Sequence, residues 1–283
     1  MVMHVERRTI SAEEGILHDS VVVPISRPET IESIVNIACD MLADDGTLRL
    51  LYVIEVPYQL PLEFAETRKT KATELLAMAA DHSRKRGFTP RQEVVVARDI
   101  PQAILDMADR YKADLILMGS SQRSVPEKVL FGSIVGRVLR EAPCEVIVYS
   151  YPKTMQPIKY DRILVPTSGF KHAWRALDIA LHFQMLFGSS VASLYVGDDR
   201  AKADQIQDSA RTHAEQLGSK IETLYKTGSV VDTIVDIARS GGYTLIIIGS
   251  TERPSYYKFL LGSTADEVVT RAPCNVLIVR TKK

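Results

Sequence analysis

"GSSQRSVPEKVLFGSIVGRVLREAPCEV" spans residues 119–146, and "GSTERPSYYKFLLGSTADEVVTRAPCNV" spans residues 249–276. Aligned without gaps, 12 of the 28 positions are identical. The pairs Gly119/Gly249, Gly132/Gly262 and Cys144/Cys274 all lie 130 residues apart. Arg123/Arg253 and Lys128/Lys258, between the glycines, are kept as well. Self-similarity at a fixed period marks a repeated structural unit. The chain therefore reads as one unit written twice.

Working outward, the repeat covers most of the chain. "VVVPIS" (21–26) matches "ILVPTS" (163–168), "LYV" (51–53) matches "LYV" (194–196), and "DLILMGS" (114–120) matches "TLIIIGS" (244–250). Short apolar runs without alternation suggest strands buried on both faces. They fall at 20–25, 48–55, 92–97, 114–119 and 144–149, and again at 162–167, 190–196, 220–226, 243–249 and 274–280. Segments of helical period lie between them. Residues 29–43 put Ile31, Ile34, Val35, Ala38 and Leu42 on one stripe. Segments 66–86, 101–111 and 132–141 read the same way. Alternating β and α predicts an α/β fold with parallel sheets, right-handed crossovers and helices on both faces.

The expected organisation is a tail (1–18), a first domain (19–152), a linker (153–160) and a second domain (161–283). The first unit is about a dozen residues longer, and "EVPYQLPLEFAETRK" (55–69) supplies the excess. Connections of this length in compact domains are usually functional or disordered. The segment is expected to fold over the first cleft as a partial lid.

Bulk properties narrow the function. The net charge is zero, so no overall basic field draws nucleic acid. No apolar run approaches the ~20 residues of a membrane-spanning helix, and no signal-peptide core is visible. Three cysteines without metal-ligand spacing fit a reduced, cytoplasmic setting. No G-x-x-x-x-G-K-[ST] occurs, so P-loop hydrolysis has no support. His172 and His182 lie ten apart, not at i, i+4, so metal pairing is not expected. His172 reads as a surface residue and Trp174 as helix packing. No catalytic set emerges from spacing.

Ligands of open parallel sheets bind beyond the C-terminal strand ends, where the strand order switches. Gly119 and Gly249 close the fourth strand of each unit, and Gly132-Ser133 and Gly262-Ser263 open the fourth helix. A helix N-terminus with free N–H groups suits phosphate. The same residues also suit a tight strand exit and an ordinary helix cap.

These motifs resemble those of the universal stress protein family, whose nucleotide-binding members carry G-x-x-G-x9-G-[ST] at this place. The resemblance implies two tandem five-stranded Rossmann-like domains that pair through their last strands as an intramolecular pseudo-dimer. It places the ligand clefts on Pro24, Ser26, Val53, Met118, Gly119, Ser120, Arg123, Gly132 and Ser133 in the first half. In the second half they fall on Pro166, Ser168, Val196, Gly228, Gly249, Ser250, Arg253, Gly262, Ser263 and Thr264. The implied ligand is ATP or another adenine nucleotide, with no metal beyond nucleotide-bound Mg.

Departures from the family pattern bear on that ligand. The middle glycine is Gln122 in one half and Glu252 in the other, and the aspartate after the first strand is Ser26 and Ser168. Binding is therefore expected to be weak. Arg98 stands where the second half keeps Gly228, and with Arg123 and Lys128 it adds positive charge near the first cleft. On residue size the second cleft is expected to be the less obstructed. The first half is also similar to the universal stress domains attached to amino acid permeases. The open readings are a regulatory or ligand-sensing module with degenerate sites, an ATP binder with slow hydrolysis in the second half, and a protein-binding scaffold beside a transporter. A homodimer of the tandem chain is a further expectation.

Overall fold

The computed structural model describes residues 16–121, 133–152, 157–250 and 263–282. In the first half the order is β1 (His18–Pro24), α1 (Ile31–Asp40), β2 (Leu42–Glu55), α2 (Glu66–Lys85), β3 (Arg91–Ala97), α3 (Ile100–Arg110), β4 (Leu115–Ser121), α4 (Ser133–Glu141) and β5 (Glu145–Tyr151). The second half repeats it with β6 (Arg162–Pro166), α5 (Lys171–Phe187), β7 (Ser190–Val196), α6 (Arg200–Gln216), β8 (Glu222–Lys226), α7 (Val230–Ser240), β9 (Leu245–Gly249), α8 (Ser263–Arg271) and β10 (Asn275–Arg280).

All ten strands form one sheet in the order β3-β2-β1-β4-β5-β10-β9-β6-β7-β8. Each half is parallel, and β5 meets β10 antiparallel with Ile278 opposite Val148. The expected pairing of the last strands is thus present. Its cause is burial: β5 and β10 are buried along their whole lengths, and their exposed edges would otherwise leave backbone groups unpaired.

Helices cover both faces. One layer packs α1, α2, α5 and α6 on Val21, Leu50, Leu117, Ile147, Val165, Ile247 and Leu277. The other packs α3, α4, α7 and α8 on Val22, Ile116, Val146, Leu164, Ile246 and Ile278. Alternate residues of one strand therefore feed opposite cores, which is why the strands read as unbroken apolar runs. Each layer runs across the join between the halves.

The helix expected over 29–43 ends at Asp40, and Leu42 belongs to β2. Leu42 pairs with His18, and the register then slips so that Ser20 faces Thr47. Gly46 permits this bulge, since a Cβ there would meet Leu42 Cδ1 at 2.8 Å and the Ala43 and His18 carbonyls at 3.0 Å. Leu42 is buried as a strand residue, which gives it the apolar character of the helical stripe without a place in the helix.

Two side chains from one half close on the other. Arg175 of α5 bonds Glu145 of β5 (Nε–Oε2 2.8 Å), and His18 Nε2 approaches Glu145 Oε1 at 3.2 Å. Buried Arg280 of β10 donates to the carbonyls of Ala142 (3.0 Å) and Cys144 (2.8 Å). The end of the expected linker joins in: Tyr160 stacks on Phe187 with centroids 4.4 Å apart, and its hydroxyl donates to Asp40 Oδ2 at 3.4 Å. No helix among the described residues is long and apolar enough to cross a membrane.

Candidate functional site

The clefts arise where the ladders run out. β1 and β4 pair only at Val21–Leu115 and Val22–Ile116, and β6 and β9 only at Ile163–Leu245 and Leu164–Ile246. Beyond those pairs the C-terminal strand ends separate. The strand order reverses there, because one neighbour continues outward from the central strand and the next pairs on its other side.

In the first half, this end of the sheet carries half-buried Pro24, exposed Ser26, half-buried Val53, buried Met118, and half-buried Gly119 and Ser120. Exposed Ser133 opens α4. In the second half it carries half-buried Pro166, exposed Ser168, half-buried Val196, half-buried Gly249 and buried Ser250. Gly228 is exposed and adopts φ +109, a left-handed conformation that side chains disfavour. Ser263 opens α8, and Thr264 in its first turn is half-buried. Gln122, Arg123, Lys128, Gly132, Glu252, Arg253, Lys258 and Gly262 lie outside the described residues.

The two strand ends differ in a way that residue size does not show. A Cβ at Gly119 would make only ordinary contacts, 3.7 Å to Ile34 Cδ1 and 3.9 Å to Thr30. A Cβ at Gly249 would lie 2.2 Å from the carbonyl oxygen of His172 and 2.5 Å from its carbon. The first turn of α5 is thus packed backbone-to-backbone on the end of β9. Gly249 serves that contact, and at this point the second cleft is the tighter one. His172 is half-buried rather than a surface residue, its ring lies 5.9 Å from that of Phe170, and burial lowers its pKa from the ordinary value.

Charge at the first cleft is also distributed differently from expectation. Arg98 is spent on the protein itself. Its Nη1 donates to the carbonyls of Val56 (3.2 Å), Leu60 (2.7 Å) and Pro57, and its guanidinium lies 5.7 Å from the Tyr58 ring centroid. It fixes the extra segment instead of waiting for a phosphate. That segment packs on Ile54, Val56, Ala65 and Ala72, along β2 and α2, and leaves Tyr58, Leu62 and Phe64 exposed. It packs toward the outer strands, with β3 contributing Val96. Replacing Arg98 with alanine is expected to release the segment. Limited proteolysis should then cut at residues 57–64 faster than in the wild type, and unchanged cutting would show that Arg98 does not hold it.

Arg27, which spacing did not single out, stands just past β1. Burial raises the Tyr151 hydroxyl pKa, while nearby Arg27 and a hydrogen bond with Ser121 pull it the other way. Ser121 and Tyr151 are paired across β4 and β5. These three residues lie far apart in the chain, so only the sheet brings them together. The equivalent of Arg27 in the second half is Gly169.

Burial pushes the Cys144 and Cys274 thiols up to about 11 and about 12, so the thiolate is scarce near neutrality. No group of three or more metal-ligating side chains occurs among the described residues.

Comparison with known proteins follows the same frame. The chain is 27% identical over 143 residues to Universal stress protein MJ0531 of Methanocaldococcus jannaschii, covering 44% of this chain and 84% of that one. It is 23% identical over 260 residues to the Na(+)/H(+) antiporter NhaS5 of Synechocystis sp., covering 88% of this chain and 36% of the antiporter. Its fold superimposes on a crystal structure of a universal stress protein from Archaeoglobus fulgidus with a TM-score of 0.70, 21% identity, and coverage of 92% and 97% of the two chains. The profile of the universal stress protein family matches residues 18–150 and 198–280, most of both halves, and the chain belongs to that family.

Proposed function

We propose that this chain is a non-catalytic regulatory module of the cytoplasm that senses a small anionic ligand, an adenine nucleotide held weakly, in its first half. The observation that carries this reading is the asymmetry of the strand ends. A Cβ at Gly119 would meet side chains only at ordinary contact distance, whereas one at Gly249 would run into the backbone of His172. Arg27, exposed just past β1 and 3.8 Å from Glu29, adds a guanidinium beside the first cleft where the second half has Gly169. An arginine matches phosphate oxygens in geometry and charge. Gln122 in place of glycine limits how closely a phosphate chain approaches the backbone, which supports weak rather than tight binding.

Calorimetry with ATP and AMP on the wild type, Gln122→Gly and Glu252→Gly tests this. The expected result is weak binding at one site per chain, strengthened by Gln122→Gly and little changed by Glu252→Gly. Two equivalent sites per chain, or a gain only in Glu252→Gly, would move the site to the second half. Absence of binding in every variant would remove adenine nucleotides from the proposal.

A second reading places the module beside a transporter. It is favoured by the antiporter similarity, which runs through both halves of this chain rather than one. The exposed Tyr58, Leu62 and Phe64 offer an apolar contact there. Cation–proton exchange measured in vesicles with and without the added chain is the test. An unchanged rate across a range of concentrations counts against it.

A further inference from the structure

The halves meet at more than the β5–β10 ladder. α1 and α5 occupy equivalent places, with Asp40 standing 142 residues before His182, as Pro24 stands before Pro166. These two equivalent residues touch across the join: His182 Nε2 lies 2.6 Å from the backbone oxygen of Asp40. One residue further, His18 Nδ1 lies 3.3 Å from the oxygen of Met41. The last carbonyls of a helix have no partner within the helix. Here two imidazoles serve the end of α1, one from each half.

A carbonyl only accepts, so the nitrogen bonded to Asp40 must carry the hydrogen. That assigns the His182 tautomer: Nε2–H donates, and Nδ1 holds the lone pair. Nδ1 is buried and has no hydrogen-bond partner among the described residues. The charged groups around it are already engaged. On α5, Arg175 is bonded to Glu145 of β5, and the same carboxylate is shared with His18 of β1. On α1, the Asp40 carboxylate is held by Arg86 of α2 and by the Tyr160 hydroxyl.

We propose that the α1–α5 seam is a proton-operated joint, held closed by neutral His182 and loosened when the buried Nδ1 takes up a proton. The new charge has no acceptor there and faces Arg175 and His18. Burial lowers the His182 pKa below 6.5, Arg175 and His18 act in the same direction, and only the bond to Asp40 opposes them. A folded-state value below the unfolded one means that the folded chain binds fewer protons. The stabilisation by neutral His182 is therefore complete above about pH 6.5 and is lost as the pH falls from there toward the folded value. Glu145 acts in a separate window. Burial pushes its carboxyl up, but His18 and Arg175 outweigh this and leave it below its ordinary 4.5.

α5 also carries the second consequence. Its first turn packs His172 on Gly249, so the helix that closes the seam also packs against the strand end at the second cleft. Loosening of the seam is expected to be felt at both places. This step needs no nucleotide and stands whether or not one binds.

Hydrogen–deuterium exchange on the full chain, at about pH 7.5 and about pH 5.5 and corrected for intrinsic rates, tests the joint. In the wild type, protection of α5 and of the end of α1 should fall on acidification. At about pH 5.5, roughly one unit below the ordinary 6.5, the fall is limited to about tenfold and approaches that limit the further His182 is depressed. His182→Gln keeps a donor for Asp40 but does not titrate, and should abolish the fall at the end of α1 and shrink it along α5, where half-buried His172 also has a lowered pKa. His18→Gln should retain it. An equal loss of protection in wild type and His182→Gln would overturn the proposal. So would a direct imidazole NMR titration of the wild type placing His182 at or above its ordinary value, a measurement that depends on no variant.

Discussion

Replacing Glu145 with alanine is expected to lower the stability of the folded chain by about 3–5 kcal/mol. The carboxylate is buried between Arg175 and His18, with only about 10% of its side chain and 14% of that of Arg175 exposed. Its pair geometry is good, with Arg175 Nε at 2.8 Å and Nη2 at 3.1 Å from the two carboxylate oxygens. Removing one member leaves a guanidinium in a low-dielectric site with its counter-charge gone, which is far costlier than losing a surface pair. Arg175 also donates to the Ile16 carbonyl at 3.3 Å, so the entry into β1 should loosen with it. Urea denaturation of wild type, Glu145→Ala and the double variant Glu145→Leu/Arg175→Met measures this. The double variant should recover a large part of the loss, because no buried charge is then left unpaired. A single-variant loss under about 1 kcal/mol would mean that the pair behaves as an exposed one.

Alanine at Gly249 is expected to destabilise by about 3 kcal/mol or more, and alanine at Gly119 by no more than about 0.5 kcal/mol. The two glycines are sequence equivalents, so the difference isolates their surroundings. At Gly249 the new methyl group would run into the backbone of His172, which no rotamer change can relieve. Either α5 or the end of β9 must shift, and both are built into the same core. At Gly119 the neighbours are the Ile34 and Thr30 side chains at ordinary contact distance. Thermal melts of the two variants side by side decide the matter. Equal losses would show that the halves are closed alike and would remove the physical basis for placing the ligand in the first half.

The sequence by itself determined the architecture. Unbroken apolar runs such as "LILM" (115–118) and "LIII" (245–248) state that both faces of a strand are buried, and this local property is legible from composition alone. Duplication then implied that whatever edge one half must cover, the other must cover too. The pairing of β5 with β10 follows from that need. Strand limits shifted where pairing rather than hydrophobicity sets them: β2 begins at Leu42 because it finds His18 as a partner across a bulge at Gly46.

Only the tertiary structure decided how the equal halves became unequal. Gly119 and Gly249 are one letter in the sequence, yet one faces side chains at ordinary contact distance and the other a helix backbone, because the distance of a helix from a strand end is set by the whole core beneath it. Arg98 reads as a loose cation near a cleft, but three carbonyls of a segment some forty residues earlier claim it. Arg27, Ser121 and Tyr151 carry no spacing signal, since the sheet assembles them from three separate connections. The pairing of His182 with Asp40 is hidden for the same reason. Periodicity records what each element buries, while the partner across a seam is fixed only when two elements, 142 residues apart, are packed against each other.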